Sequence, residues 1–243
     1  MFPIADDDSD IVITPYVNYM FITLNVIVFV FIQRFGTNEA FNYAFSLVPR
    51  EIITGTDIQG IVAIKSQGRT IAEIHHYTSP LPIYFNFLTS MFMHGNFMHL
   101  FGNMLFLWIF GDNIENRIGH LRYLLFYLAC GFLAAVAQIA TDPNSVIPML
   151  GASGAISGVL GAYMLLFPTN RVQVIVMRFM VQTVPAYVAL GLWIAFQIIS
   201  GLLTPKGAGG VAYAAHIGGF FAGLLLIKLF AIGVESRDIR FRR

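Results

Sequence analysis

The spacing of apolar residues constrains this chain more than any other feature. A helix that crosses the hydrocarbon core of a bilayer needs about 20 consecutive, mostly apolar residues. Six stretches meet that demand, at roughly 16–34, 90–111, 121–140, 149–167, 183–203 and 211–231. Composition agrees with this reading: 57% of the 243 residues are hydrophobic and 11% are charged. Soluble domains run at about 45–50% and about 25%. The expected fold is therefore all-α and polytopic, a bundle of six transmembrane helices embedded in a lipid bilayer, and an ordinary soluble enzyme is excluded. A net charge of +1 offers no field to attract nucleic acid, so no nucleic-acid partner is expected. The single cysteine, Cys130, lies in an apolar run and permits neither an internal disulfide nor a thiolate metal cage.

Topology follows from basic residues in short loops. Arg117 and Arg122 follow the second stretch and Arg171 and Arg178 follow the fourth. Lys228, Arg237, Arg240, Arg242 and Arg243 close the chain. The loop after the third stretch has no Lys or Arg and the loop after the fifth has only Lys206. Both termini are expected on the cytoplasmic side. The chain then divides into a short acidic tail at roughly 1–15, a membrane domain at roughly 16–231 and a basic tail at roughly 232–243. Within the membrane domain, roughly 35–84 is too long for a simple connection. Its apolar patches and turn signals suggest a partly helical, interfacial extracytoplasmic loop.

Polar residues inside a span are costly and mark function by default. With this topology the second, fourth and sixth stretches run inward from the outer face, so residues near their starts share one depth. His99 and Asn103, four apart, share a helix face in HLFGN. Ser153 sits in GASG and His216 in AAHIGG. Gly154 and Gly158 form one GxxxG pair and Gly219 and Gly223 another, which allows two helix backbones to approach closely. A serine hydroxyl becomes an effective nucleophile when a base removes its proton, and His216 suits that role. His99, Asn103 and the Ser153 backbone N–H could then stabilise an oxyanion. No Asp or Glu lies within the last four stretches, apart from Asp142 in a loop, so the serine chemistry on offer is a two-residue dyad. A zinc protease would want HExxH, which is absent. An aspartyl mechanism needs two intramembrane carboxylates, and Asp112 stands alone at the inner boundary.

These motifs, HLFGN with GDNIENRIG, then GASGAISG, then AHIGGFFAG, resemble those of the rhomboid intramembrane serine proteases over roughly residues 84–231. The resemblance implies a six-helix core with Ser153 as nucleophile and His216 as general base. It implies that His99 and Asn103 assist the oxyanion and that the Gly151 and Ala152 backbone lines that hole. His94 and Glu115 match structural positions. No metal and no organic cofactor are implied. The implied partners are transmembrane segments of other membrane proteins, cleaved in or near the span, with the Gly-rich loop 206–210 at a mobile entrance. A non-catalytic rhomboid-like binder of transmembrane helices is the alternative. The short N-terminus suggests a prokaryotic plasma membrane, with the active site toward the outer leaflet. Phe85 and Asn86 replace the Trp-Arg pair of some members, leaving open how the long loop is anchored. Ser157 replaces a Tyr that stacks on the catalytic imidazole in others, so the orientation of His216 must come from packing or another aromatic.

Overall fold

The computed structural model of the protein describes residues 2–66, 69–176, 180–204 and 210–234. Arg178, Lys206, most of the Gly-rich loop 206–210, and Arg237, Arg240, Arg242 and Arg243 lie outside the described residues.

Helices occupy all six apolar stretches. The first is α1 (Tyr16–Ile27), which continues as a π-helical turn over Val28–Ile32. Then come α5 (Phe97–Ile118), α6 (His120–Thr141), α7 (Ser153–Leu166), α8 (Ala186–Leu203) and α9 (Tyr213–Phe230). Three of these, α6, α8 and α9, are long and apolar enough by themselves to cross a membrane. The second stretch is displaced from its expected position: α5 starts at Phe97, not near residue 90. The cause is local. The Asn96 side chain accepts the His99 N–H at 2.9 Å and caps the helix. Upstream, Ile83–Phe92 is a chain of short helical turns that includes α4 (Asn86–Thr89).

The all-α expectation needs correction, because the described residues, though mostly helical, also form two small antiparallel sheets. One is a hairpin of β2 (Gly60–Ser66) and β3 (Arg69–His76). The other has the order β1-β4-β5, with β1 at Phe2–Ala5, β4 at Arg171–Val176 and β5 at Met180–Pro185. Residues at the start of the expected acidic tail form a strand on β4. The next residue, Asp6, lies 2.5 Å from the Tyr163 hydroxyl and accepts from Asn113 Nδ2 at 2.9 Å.

The long segment after α1 carries α2 (Glu39–Phe45) and α3 (Pro49–Thr54) as well as the hairpin. Its anchor includes Asn86, one of the two residues found in place of the Trp-Arg pair. Asn86 Nδ2 donates to the carbonyls of Ser46 at 2.9 Å and Ala44 at 3.3 Å, and Thr89 Oγ1 donates to that of Phe45 at 2.8 Å. Leu47 and Met149 exchange both backbone hydrogen bonds, which ties this segment to the loop before α7.

The core is built around α7, every residue of which from Gly154 to Tyr163 is buried. Its packing against α9 depends on glycine. A methyl at Gly219 would collide with the Gly154 carbonyl, and one at Gly223 with the Gly158 carbonyl. The two GxxxG pairs face one another, so the backbones meet without intervening side chains. At the opposite end of α5 from His99, Glu115 accepts the N–H groups of Val17 at 2.9 Å and Asn18 at 2.7 Å. These are first-turn amides of α1 that have no intrahelical acceptor. His120 Nδ1 lies 2.5 Å from the same carboxylate. Glu115 therefore fastens α1 to α5, well away from Ser153.

Candidate active site

Close approach of α7 and α9 brings together two residues that are 63 apart in sequence: Ser153 Oγ lies 2.7 Å from His216 Nε2. Ser153 is the first residue of α7, so its backbone N–H is one of the helix's unpartnered donors. The preceding backbone explains why glycine is needed there. Gly151 has φ +134°, and a Cβ at this position would lie 2.8 Å from His99 Cε1 and 2.9 Å from His99 Nε2. The missing side chain is what lets the His99 ring rest against the Gly151 backbone, two residues before the serine.

His99 and Asn103 come from α5 and line the same cavity as Ser153 and His216. The Gly95 N–H points at His99 Nδ1 over 3.5 Å. With Nδ1 as acceptor, the ring proton of a neutral His99 resides on Nε2, the nitrogen nearest Gly151. Asn103 Nδ2 is 2.9 Å from Nε2 of the fully buried His94, which leaves its second amide hydrogen for the cavity. His94 is itself held by Gln33, which accepts its backbone N–H and donates to its carbonyl. The Gly151 N–H is committed elsewhere, donating to the Ser90 carbonyl at 2.9 Å. Donors that can face a reacting carbonyl are therefore the Ser153 N–H, His99 Nε2–H and Asn103 Nδ2–H, with Ala152 supplying the N-cap of α7.

Two side chains of α8 that lie against the His216 ring belong to none of the sequence motifs. Gln197 Oε1 on α8 lies 2.8 Å from His216 Nδ1. One turn earlier, the Trp193 ring is 6.0 Å from the imidazole, centroid to centroid. Trp193 and Gln197 are four apart on α8, so they present one face to α9. On α6, Gln138 Oε1 accepts the Ala215 N–H at 3.1 Å and satisfies a first-turn amide of α9 beside the histidine. Ser157 takes no part in orienting the ring, because its hydroxyl turns back to the Ser153 carbonyl at 2.6 Å. The signal available in sequence was that both glutamines interrupt otherwise apolar helices.

The cavity holding these groups measures about 1210 Å³ and extends toward Met149, Leu202 and Tyr213. Among the described residues, Asp142 is the one carboxylate that lines it. Among the described residues, no group of three His, Cys, Asp or Glu side chains is placed to hold a metal ion.

The rhomboid domain model matches residues 83–232, which hold Ser153, His216, His99, Asn103, Gln138 and Gln197. This chain belongs to the rhomboid family. The match covers more than half of it, and helices long and apolar enough to cross a membrane agree with an integral membrane protein. Among curated relatives, this rhomboid is 33% identical over 159 residues to the mitochondrial Rhomboid protein 1 of Saccharomyces cerevisiae, covering 62% of this chain and 43% of that one. It is 28% identical over 214 residues to Rhomboid protease GluP of Bacillus subtilis, covering 87% of this chain and 35% of that one. It is also 34% identical over 141 residues to the mitochondrial presenilin-associated rhomboid-like protein of Homo sapiens, covering 56% and 35%. The matched part of this chain thus spans between about a third and somewhat under half of the length of these relatives.

Proposed function

We propose that this rhomboid is an intramembrane serine endopeptidase that hydrolyses peptide bonds in or near transmembrane segments of other membrane proteins. The observation that carries the reading is the 2.7 Å contact between Ser153 Oγ and His216 Nε2, inside a cavity that also holds hydrogen-bond donors. Membership of a family in which GluP is named a protease supports it.

In the proposed reaction, Ser153 Oγ attacks the substrate carbonyl carbon as His216 Nε2 takes the hydroxyl proton. The carbonyl oxygen gains negative charge in the space faced by the Ser153 N–H, His99 and Asn103. His216 then gives its proton to the leaving amine, the C–N bond breaks and an acyl-serine remains. Water, deprotonated by the same nitrogen, hydrolyses that ester and returns Ser153 to its starting state.

Helix lengths favour a site below the membrane surface. The 14 residues of α7 span about 21 Å, against about 30 Å for a hydrocarbon core. If Leu166 lies at one boundary, Ser153 lies about 9 Å inside the other. We take α1, α5, α6, α7, α8 and α9 as the six spans, with both chain ends cytoplasmic and Ser153 in the outer leaflet of a prokaryotic plasma membrane. Mitochondrial relatives make a membrane of that organelle the competing location.

The test is cleavage of a single-span substrate by purified protein in lipid vesicles. Wild type should release defined fragments, and Ser153→Ala and His216→Ala should each release none. Undiminished cleavage by either variant would remove the dyad. A wild type that binds the helix without cutting it would favour the non-catalytic alternative.

A further inference from the structure

We propose that Gln197 is a positioning residue for the reaction: its carbonyl oxygen holds the ring proton of His216 on Nδ1, which keeps Nε2 a free base facing Ser153. The inference rests on the dyad reading above.

A neutral imidazole carries one proton on either nitrogen. To receive the Ser153 proton, Nε2 must present its lone pair, so the ring proton must reside on Nδ1. Whatever partners Nδ1 must then accept. Gln197 Oε1, at 2.8 Å, does so. Once Nε2 has taken the serine proton, the imidazolium is still hydrogen-bonded through Nδ1 to the same oxygen, and the ring is not released to turn. The proton leaves Nε2 for the departing amine, and the Nδ1–H bond to Gln197 persists throughout.

An amide suits this environment better than a carboxylate. Gln197 is buried in an apolar helix, where an ionised acid would lose solvation that one hydrogen bond does not restore. A neutral amide fixes the tautomer and the ring plane without that cost. Trp193 flanks the ring from the same face of α8, and Gln138 holds the adjoining backbone. Among the described residues, the titratable groups that share the cavity with His216 are His99 from α5, Asp142 after α6 and Tyr213 on α9. Among its described lining residues, α7 and α8 add none.

The alternative role for a buried glutamine is glue between α8 and α9. Two variants separate the roles. Gln197→Met keeps length and bulk but removes the acceptor. Gln197→Glu keeps an acceptor and adds charge, which favours the imidazolium. The measurement is the rate at which a fluorophosphonate labels Ser153 in the full protein in lipid vesicles, followed across pH, with Ser153→Ala as control. Gln197→Met should lower the rate by about 10²-fold. Gln197→Glu should retain labelling at high pH and move the acid limb of the profile upward by about one pH unit or more. Wild-type labelling by Gln197→Met would overturn the proposal while leaving the dyad intact. Label taken up equally by Ser153→Ala would instead reject the dyad.

Discussion

Asn103 uses its one amide group in two directions, toward buried His94 and toward the cavity. Replacing it with Ala removes a proposed oxyanion donor and also takes away the hydrogen-bond partner of His94 Nε2. Turnover by Asn103→Ala should fall about 10²–10³-fold with KM little changed, because a donor aimed at the developing charge acts on the transition state. Unfolding should also become easier by about 1–3 kcal/mol, the usual cost of orphaning a buried polar atom. Wild-type turnover would take Asn103 out of the mechanism. Ser153, His216, His99 and Asn103 were legible in the sequence because each is a polar residue in a glycine-marked or helix-periodic motif. Gln197 and Gln138 were not. Their partners, His216 Nδ1 and the Ala215 N–H, lie on another helix, and no spacing within one helix encodes that meeting. The committed Gly151 amide was equally hidden, since its acceptor is the carbonyl of Ser90.

Among the elements, the β1 strand carries the clearest pH dependence. Burial pushes the Asp6 carboxyl up to about 8, the hydrogen bond from Tyr163 opposes this, and Asp8 and Asp112 add to the rise. A carboxyl raised above its ordinary value of 3.8 favours the docked strand only while protonated. Its contribution is complete below about pH 4 and is lost as pH rises toward about 8. Protection of the β1–β4 amides against hydrogen exchange, corrected for intrinsic rates, should decline between pH 5 and pH 8.5. Asp6→Asn should flatten that decline, and pH-independent protection in the wild type would contradict the assignment. This strand was illegible because four residues ahead of an acidic run give no period to read, and the β4 partner lies far along the chain. The helices were legible from apolar length. Their starts were not: Asn96 delays α5, and the left-handed backbone of Gly151 keeps the preceding apolar residues out of α7.

Taken whole, the molecule joins a low charge content to a site made of neutral groups. Glycine contacts draw α7 and α9 together, α5 supplies neutral donors, and α8 supplies an amide where soluble serine hydrolases commonly use an acid. The family could be recognised from three short motifs, whereas the anchoring of the long loop by Asn86 and Thr89 depends on contacts 40 and 44 residues distant. The central claim is that Ser153 is a nucleophile activated by His216. It is tested most directly by treating the protein in lipid vesicles with a fluorophosphonate and locating the adduct by peptide mass spectrometry. The account predicts one adduct, on Ser153, that disappears in His216→Ala. An adduct that persists at full rate without His216, or one on any other residue, would contradict it.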